Sequence, residues 1–413
     1  MHFMKKILNP TTLVTLLILS GSLLTPSKAQ QRVKNARHSV IYHQPGRFAG
    51  WPANNGVYIF DGNEILVGFT EAQYQKRDGH NANKPFLSWL ARSTDGGKSW
   101  TAGNPDNFAG DFGDVPDLKT VDAPINFKHP GFAMRVVGSA YHGAEDNRAH
   151  FFYSYDKGKT WQGPYTFGNL LAWPEFSNTK LNALTPRTDY IVTGDKECLL
   201  FFSIRTDEVF ASDRLFCVRT TDGGKSFQFQ GWVVGPAEIP GNYVKVNLFD
   251  DPARNPYANE CRAAMSQSER LDDGTIVSVI RRKFITKDRK ELHWLDAYSS
   301  GDGGKTWRFL SKIADTGGEN GNPPAFTTTK DGRLCVVYGE RDHGTIRVIY
   351  SSDKGKTWSA PQILMDGFWS EDMQLNDLGY PRVVRRKDGK MVAMYYYSTK
   401  EKLHHLRATI WEP

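Results

Sequence analysis

The stretch Ser93-Thr94-Asp95-Gly96-Gly97-Lys98-Ser99-Trp100 decides how the chain is read, because it recurs. It returns as Ser154-Tyr155-Asp156-Lys157-Gly158-Lys159-Thr160-Trp161, Thr220-Thr221-Asp222-Gly223-Gly224-Lys225-Ser226-Phe227, Ser299-Ser300-Gly301-Asp302-Gly303-Gly304-Lys305-Thr306-Trp307 and Ser351-Ser352-Asp353-Lys354-Gly355-Lys356-Thr357-Trp358. Each copy predicts a tight turn. A residue at positive φ closes it, the Asp carboxylate accepts turn amides, and the terminal aromatic ring packs the turn onto apolar neighbours. Such a turn staples a hairpin and performs no chemistry, so each copy reads as scaffold.

Working outward, a second marker alternates with the first. Asp-Gly pairs occur at Asp61-Gly62, Asp273-Gly274, Asp331-Gly332 and Asp388-Gly389, each followed by a strand-like run such as Glu64-Ile65-Leu66-Val67-Gly68-Phe69. The unit is strand, Asp-Gly turn, strand, loop, strand, boxed turn, strand. From Gln30 to Pro413 there are 384 residues, and the boxed Asp residues lie 51 to 80 apart. Six units of about 64 residues account for the chain, which predicts an all-β fold, a six-bladed β-propeller of four-stranded antiparallel blades. Positions 106–117 and 317–324 read as inter-blade connections, and 233–256 as an insertion before the fourth blade.

Composition agrees with a turn-rich β protein: aromatic residues make up 13%, and there are 38 Gly and 21 Pro. The net charge of +7 suits an anionic substrate, nucleic acid or merely a solvated basic surface. No basic run with interleaved aromatics marks a nucleic-acid site. Residues 1–29 read as a secretory leader, with Lys5 and Lys6, an apolar stretch over 11–24, and Ser27-Lys28-Ala29 before Gln30. The remainder, 30–413, reads as one propeller domain, periplasmic or secreted, with no membrane span. Cys198, Cys217, Cys261 and Cys335 fit no zinc spacing, and a Cys198–Cys217 pair and free buried thiols both stay open. No motif calls for a metal or cofactor. Glu371, Asp372 and Asp377 read as solvated loop acids.

Counting along the strands locates a rim. Residues eight to ten positions before or after an Asp-Gly turn meet at the blade's other end. That assigns Tyr380 to the sixth blade's rim, Arg281 to the fourth, Arg341 to the fifth (with Arg347 as a competitor), and Trp51, Glu71 and the loop 75–80 to the first.

The boxed turns, the arginine after the fourth Asp-Gly turn and the tyrosine before the last one resemble the sialidase superfamily over nearly all of 30–413. The resemblance implies an exo-glycosidase with three carboxylate-binding arginines, a tyrosine nucleophile assisted by a glutamate, and an aspartate acid/base. Guanidinium forks match a carboxylate, and a neutral phenol avoids opposing an anionic sugar. Carried over residue by residue, Tyr380 is the nucleophile, Glu260 its base and Asp78 the acid/base, with His80 as a competitor. Arg281, Arg341 and Arg47 bind the carboxylate. Two departures stand out. Gly50-Trp51-Pro52 replaces the family's Arg-Ile/Leu-Pro, and Met265 stands where the glutamate would align. The expected reading is a monomeric retaining exo-glycosidase acting on a glycan that ends in sialic acid or a related acidic sugar. The alternatives are a same-fold glycosidase or lyase for a uronic-acid- or rhamnose-containing glycan, and a non-catalytic glycan-binding propeller.

Overall fold

A computed structural model describes residues 31–413 except 77–79, 106–116, 139–148, 177–180, 207–212, 236–260, 286–290, 318–320 and 371–376. The expected leader therefore lies outside the described residues. Six antiparallel sheets form a ring of six blades. Blade 4 shows the unit plainly, with Cys261–Arg270, Ile276–Ile285, Glu291–Ser300 and Arg308–Asp315 pairing in chain order. Middle strands such as Leu334–Glu340 and Met391–Tyr397 are buried along their whole length. Each blade packs both faces on its neighbours, so these strands read as continuous apolar runs. The core accordingly lies between blades. Ile191, Leu199 and Cys217 of blade 3 meet Ile276 and Tyr298 of blade 4, and Val277 and Leu295 of blade 4 meet Val336 and Tyr338 of blade 5. Cys198, Cys217 and Cys335 are free and buried.

The boxed turns join the last two strands of each of blades 1–5, as their spacing predicts. In the fourth box Asp302 accepts the amides of Lys305 and Thr306 and the hydroxyls of Ser300 and Thr306. The Thr306 hydroxyl and amide, with the further bonds, hold this carboxyl at about 2. The turns also stitch blade to blade. Trp100 Nε1 bonds Ser39 of blade 6, Gly303 O accepts from Gln230 of blade 3, and Ser311 of blade 4 bonds Gly355 O. Each box thus leans on the preceding blade.

The last blade has no box because its fourth strand comes from the other end of the chain. Arg37–Tyr42 pairs antiparallel with His405–Trp411, outside Gly379–Arg385 and Met391–Tyr397. This closure has no signal in the repeat pattern.

Blade 2 departs in another way: three strands are described, Ala133–Val137, His150–Ser154 and Gln162–Thr166. The inner edge of the first is covered by side chains of neighbouring blades. Tyr190 OH and Thr188 Oγ1 accept from the amides of Met134 and Val136, and Tyr58 OH donates to Met134 O. Buried backbone polar groups need partners, and hydroxyls here replace a strand.

The innermost strands break at one level. In blade 1, Arg47–Gly50 and Val57–Phe60 both pair with Glu64–Tyr74, separated by the short helix Pro52–Asn55. In blades 4 and 6 the register slips between Ala264 and Gln267 and between Gly379 and Arg382. Left-handed residues mark the breaks: Trp51 at φ 55, Met265 at φ 56 and Tyr380 at φ 45. Their side chains are thereby turned out of the regular pleat, at the mouth of the channel.

Candidate active site

Tyr380 is the second residue of the innermost strand of blade 6. Its amide donates to Asn322 Oδ1 at 2.8 Å. The residue before it, Gly379, has φ 102, and a Cβ there would lie 2.0 Å from Asn322 Oδ1, so glycine is required. Together they hold the phenol at the break. Arg281 reaches it from the second strand of blade 4, opposite Ala264, with Nη1 donating to Tyr380 OH at 3.3 Å and lying 3.5 Å from Met265 Sδ. Arg341 follows directly after Leu334–Glu340 of blade 5. Each guanidinium carbon stands 6.0 Å from the centroid of the Tyr380 ring. The structure therefore brings together three of the six residues singled out from the sequence.

The other three fare differently. Arg47 is held by both oxygens of Glu71, which is almost fully buried, and among the described residues it meets none of the trio. Asp78 and Glu260 lie outside the described residues. Arg347 pairs with Glu340 at 2.9 Å rather than competing for the mouth.

Two further groups complete the cluster. Asp377 is fully buried, which corrects its reading as a solvated loop acid. Its Oδ1 accepts from His80 Nδ1 at 2.8 Å, from Arg341 Nη2 at 3.3 Å and from Tyr396 OH, and its Oδ2 accepts from the Asn81 amide at 3.2 Å. Burial alone would raise this carboxyl, but His80, Arg341 and His404 outweigh it and hold the group well below the usual carboxylate range. Burial and the adjacent Asp377 charge push the Tyr396 hydroxyl well above its ordinary value. Arg341 is raised: burial would lower it, and Tyr396, Asp377 and Tyr380 more than compensate. The His80 ring lies edge-on to Tyr380, centroids 5.6 Å apart, and edge-on to Trp51 at 5.0 Å. Asp377 stands three residues before Tyr380, and that proximity is the one sequence signal that could have raised it.

The first-blade motif also differs for a visible reason. A Cβ at Gly50 would lie 2.5 Å from Phe48 Cζ and 3.3 Å from Tyr396 Cγ, so a side chain there would have to displace the buried Phe48 ring. A separate cavity of about 790 Å³ opens at the Asp-Gly end of the channel, lined by Asp189, Glu269, Arg382 and Arg385 among others, and contains none of the trio. Among the described residues no group of three His, Cys, Asp or Glu side chains could hold a metal ion, and no helix is long and apolar enough to cross a membrane.

The BNR repeat-like domain model matches residues 119–394, more than half of the chain. The chain belongs to the BNR repeat-like family. No curated protein matches it. Several solved structures share its fold. A protein of unknown function from Dyadobacter fermentans is 16% identical, with 92% of this chain and 99% of that one covered and a TM-score of 0.65. The α-L-arabinofuranosidase Arb93A of Fusarium graminearum, solved with an iminosugar inhibitor, is 15% identical over 91% and 97% of the two chains, with a TM-score of 0.56. The Hadza microbial sialidase Hz136 is 13% identical over 90% and 66%, also with a TM-score of 0.56. At these identities the likeness of the BNR repeat-like chain to each is one of fold.

Proposed function

We propose that this protein is a retaining glycoside hydrolase that removes a terminal sugar at the open mouth of the propeller, with Tyr380 as nucleophile. The carrying observation is the approach of Arg281 and Arg341, from different blades, to one phenol, with Arg281 donating to its oxygen. A fixed guanidinium beside that oxygen stabilises the charge that develops on it as the proton leaves. Glycosidases among the proteins of similar fold support the reaction class. The leader-like sequence over 1–29 supports export, and we infer that a single chain suffices, since all the site groups come from one ring.

The sugar we propose is one other than sialic acid. A three-arginine clamp needs a side chain at Gly50, where the buried Phe48 ring stands in the way, or a disengaged Arg47, which Glu71 holds. Arg341 turns Nη2 to Asp377, Tyr396 and Leu378 O. Arg281, beside Tyr380, suits a uronide, and a neutral sugar needs neither guanidinium. The test is a panel of chromogenic glycosides, with a sialoside, a glucuronide and neutral pentosides and hexosides, run on wild type and Tyr380→Phe. The expected result is turnover of a non-sialic donor that falls by at least about 1,000-fold in Tyr380→Phe, as loss of a covalent nucleophile requires. Undiminished turnover in that variant removes the nucleophile. Glycan binding without turnover of any donor makes the propeller a lectin.

A further inference from the structure

We infer that Tyr380, His80 and Asp377 form a nucleophile–base–orienter triad, with His80 taking over the proton transfer expected of a glutamate. The inference rests on the reading of Tyr380 as nucleophile. Its starting point is a substitution: Met265, which has no proton to exchange, stands where the assisting glutamate aligns, with its sulfur against Arg281. Among the described residues, proton transfer from the phenol therefore needs another group. His80 is the imidazole whose ring meets the Tyr380 ring.

Asp377 determines which nitrogen of His80 is basic. Its carboxylate is an acceptor only, and its partners are all donors: the Tyr396 hydroxyl, the Arg341 guanidinium and the Asn81 amide. A nitrogen 2.8 Å from Oδ1 must then carry a proton, so Nδ1–H donates to Asp377 and, in the neutral imidazole, the lone pair is on Nε2. The Trp51 indole nitrogen lies 3.3 Å from the same Nδ1 and, being a donor, could bond it only in a ring whose Nδ1 carries no proton; the shorter contact to the acceptor-only Asp377 favours Nδ1–H. A nucleophile, a base and a buried carboxylate that fixes the tautomer of that base recur on unrelated folds. Asp377 is a positioning residue in this scheme, and Asn81, which also contacts His404 Nε2 at 3.2 Å, ties the loop to the blade.

The proton balance closes with one imidazole and water. Nε2 takes the Tyr380 proton as the phenolic oxygen bonds to the anomeric carbon, and holds it as imidazolium. The departing glycosidic oxygen, on the opposite face of that carbon, takes its proton from a water there as its bond to carbon breaks. The hydroxide left behind attacks the tyrosyl glycoside from the same face, and the Tyr380 oxygen leaves and recovers its proton from Nε2.

Among the described residues the titratable groups facing His80 are Asp377 and Tyr380, beside the Trp51 indole, and behind Asp377 lie Arg341, Tyr396 and His404. The experiment uses the full chain, with the best donor from the glycoside panel, and compares His80→Gln and Asp377→Asn with wild type. In His80→Gln, kcat falls by at least about 100-fold, the lower range for loss of a general acid–base group, with KM little changed and one limb of the kcat pH profile gone. In Asp377→Asn, kcat falls while that limb moves and persists. Nitrogen-15 NMR of the imidazole ring supplies a readout independent of turnover: Nδ1–H in wild type, with the Nε2–H tautomer gaining in Asp377→Asn. An Nε2–H ring in wild type, or a His80→Gln enzyme with both limbs and kcat within tenfold, overturns the triad. Turnover lost in Tyr380→Phe but kept in His80→Gln sinks the triad alone. No turnover of any donor sinks the nucleophile reading, and the triad with it.

Discussion

Glu269 shares the innermost strand of blade 4 with Met265 but faces the Asp-Gly end of the channel, half-buried beside Thr327 and Arg385. Burial pushes its carboxyl up to about 6 against the hydrogen bonds it accepts from Thr327 and Thr328. A carboxyl raised in the folded state binds its proton more tightly there than in the unfolded chain. Its contribution to stability is therefore complete below about 4.5 and lost as the pH rises through about 6. Glu269→Gln should then stabilise the protein by about 1–2 kcal/mol at pH 7 and by nothing near pH 4, read from urea unfolding at both values. At this scale the sequence was legible in part. Tyr380, Arg281 and Arg341 followed from counting residues to a blade end. Asp377 did not, because a charge in a Gly- and Asn-bearing loop looks solvated until the fold seals it under His80, Tyr396 and Arg341. The obstacle to a side chain at Gly50 depends on where the Phe48 ring lies, which no spacing reveals.

Strands and turns were the most readable elements. The boxes supply their own acceptors and donors within eight residues, so they form wherever the phrase occurs. The coverings between elements were harder to read, because their partners are distant in sequence. Thr188 is the sharpest case: its hydroxyl accepts from the Val136 amide at 3.1 Å and lies 3.1 Å from Asn55 O. Thr188→Val keeps the shape and strands those backbone groups, so it should cost about 1–3 kcal/mol, seen as a lower denaturation midpoint at an unchanged urea slope. Lys157 and Lys354 carry positive φ values of 62 and 60 where the other boxes have glycine. In exchange they reach Asp61 and Asp273, in the Asp-Gly turns of the preceding blades.

For the whole molecule, blade number was legible because the boxes act as a ruler and 384 residues divide into six lengths. How the ring shuts was not, since Arg37–Tyr42 precedes the first repeat and resembles any exposed strand. Deleting residues 31–42 should leave His405–Trp411 as a bare edge and yield aggregates in size-exclusion chromatography, while a short linker joining 413 to 31, with new ends in an inter-blade loop, should keep the native circular dichroism spectrum.

The His38–Thr409 hydrogen bond joins residues 371 apart in sequence. During synthesis the N-terminal strand emerges first and must wait unpaired until almost the entire chain has followed. Five blades can assemble behind it as they appear, but the sixth is a late event whose loop-closure entropy is met all at once. A chain halted short of residue 405 would carry an orphan strand at one end and an open blade at the other, ready to pair with a second copy.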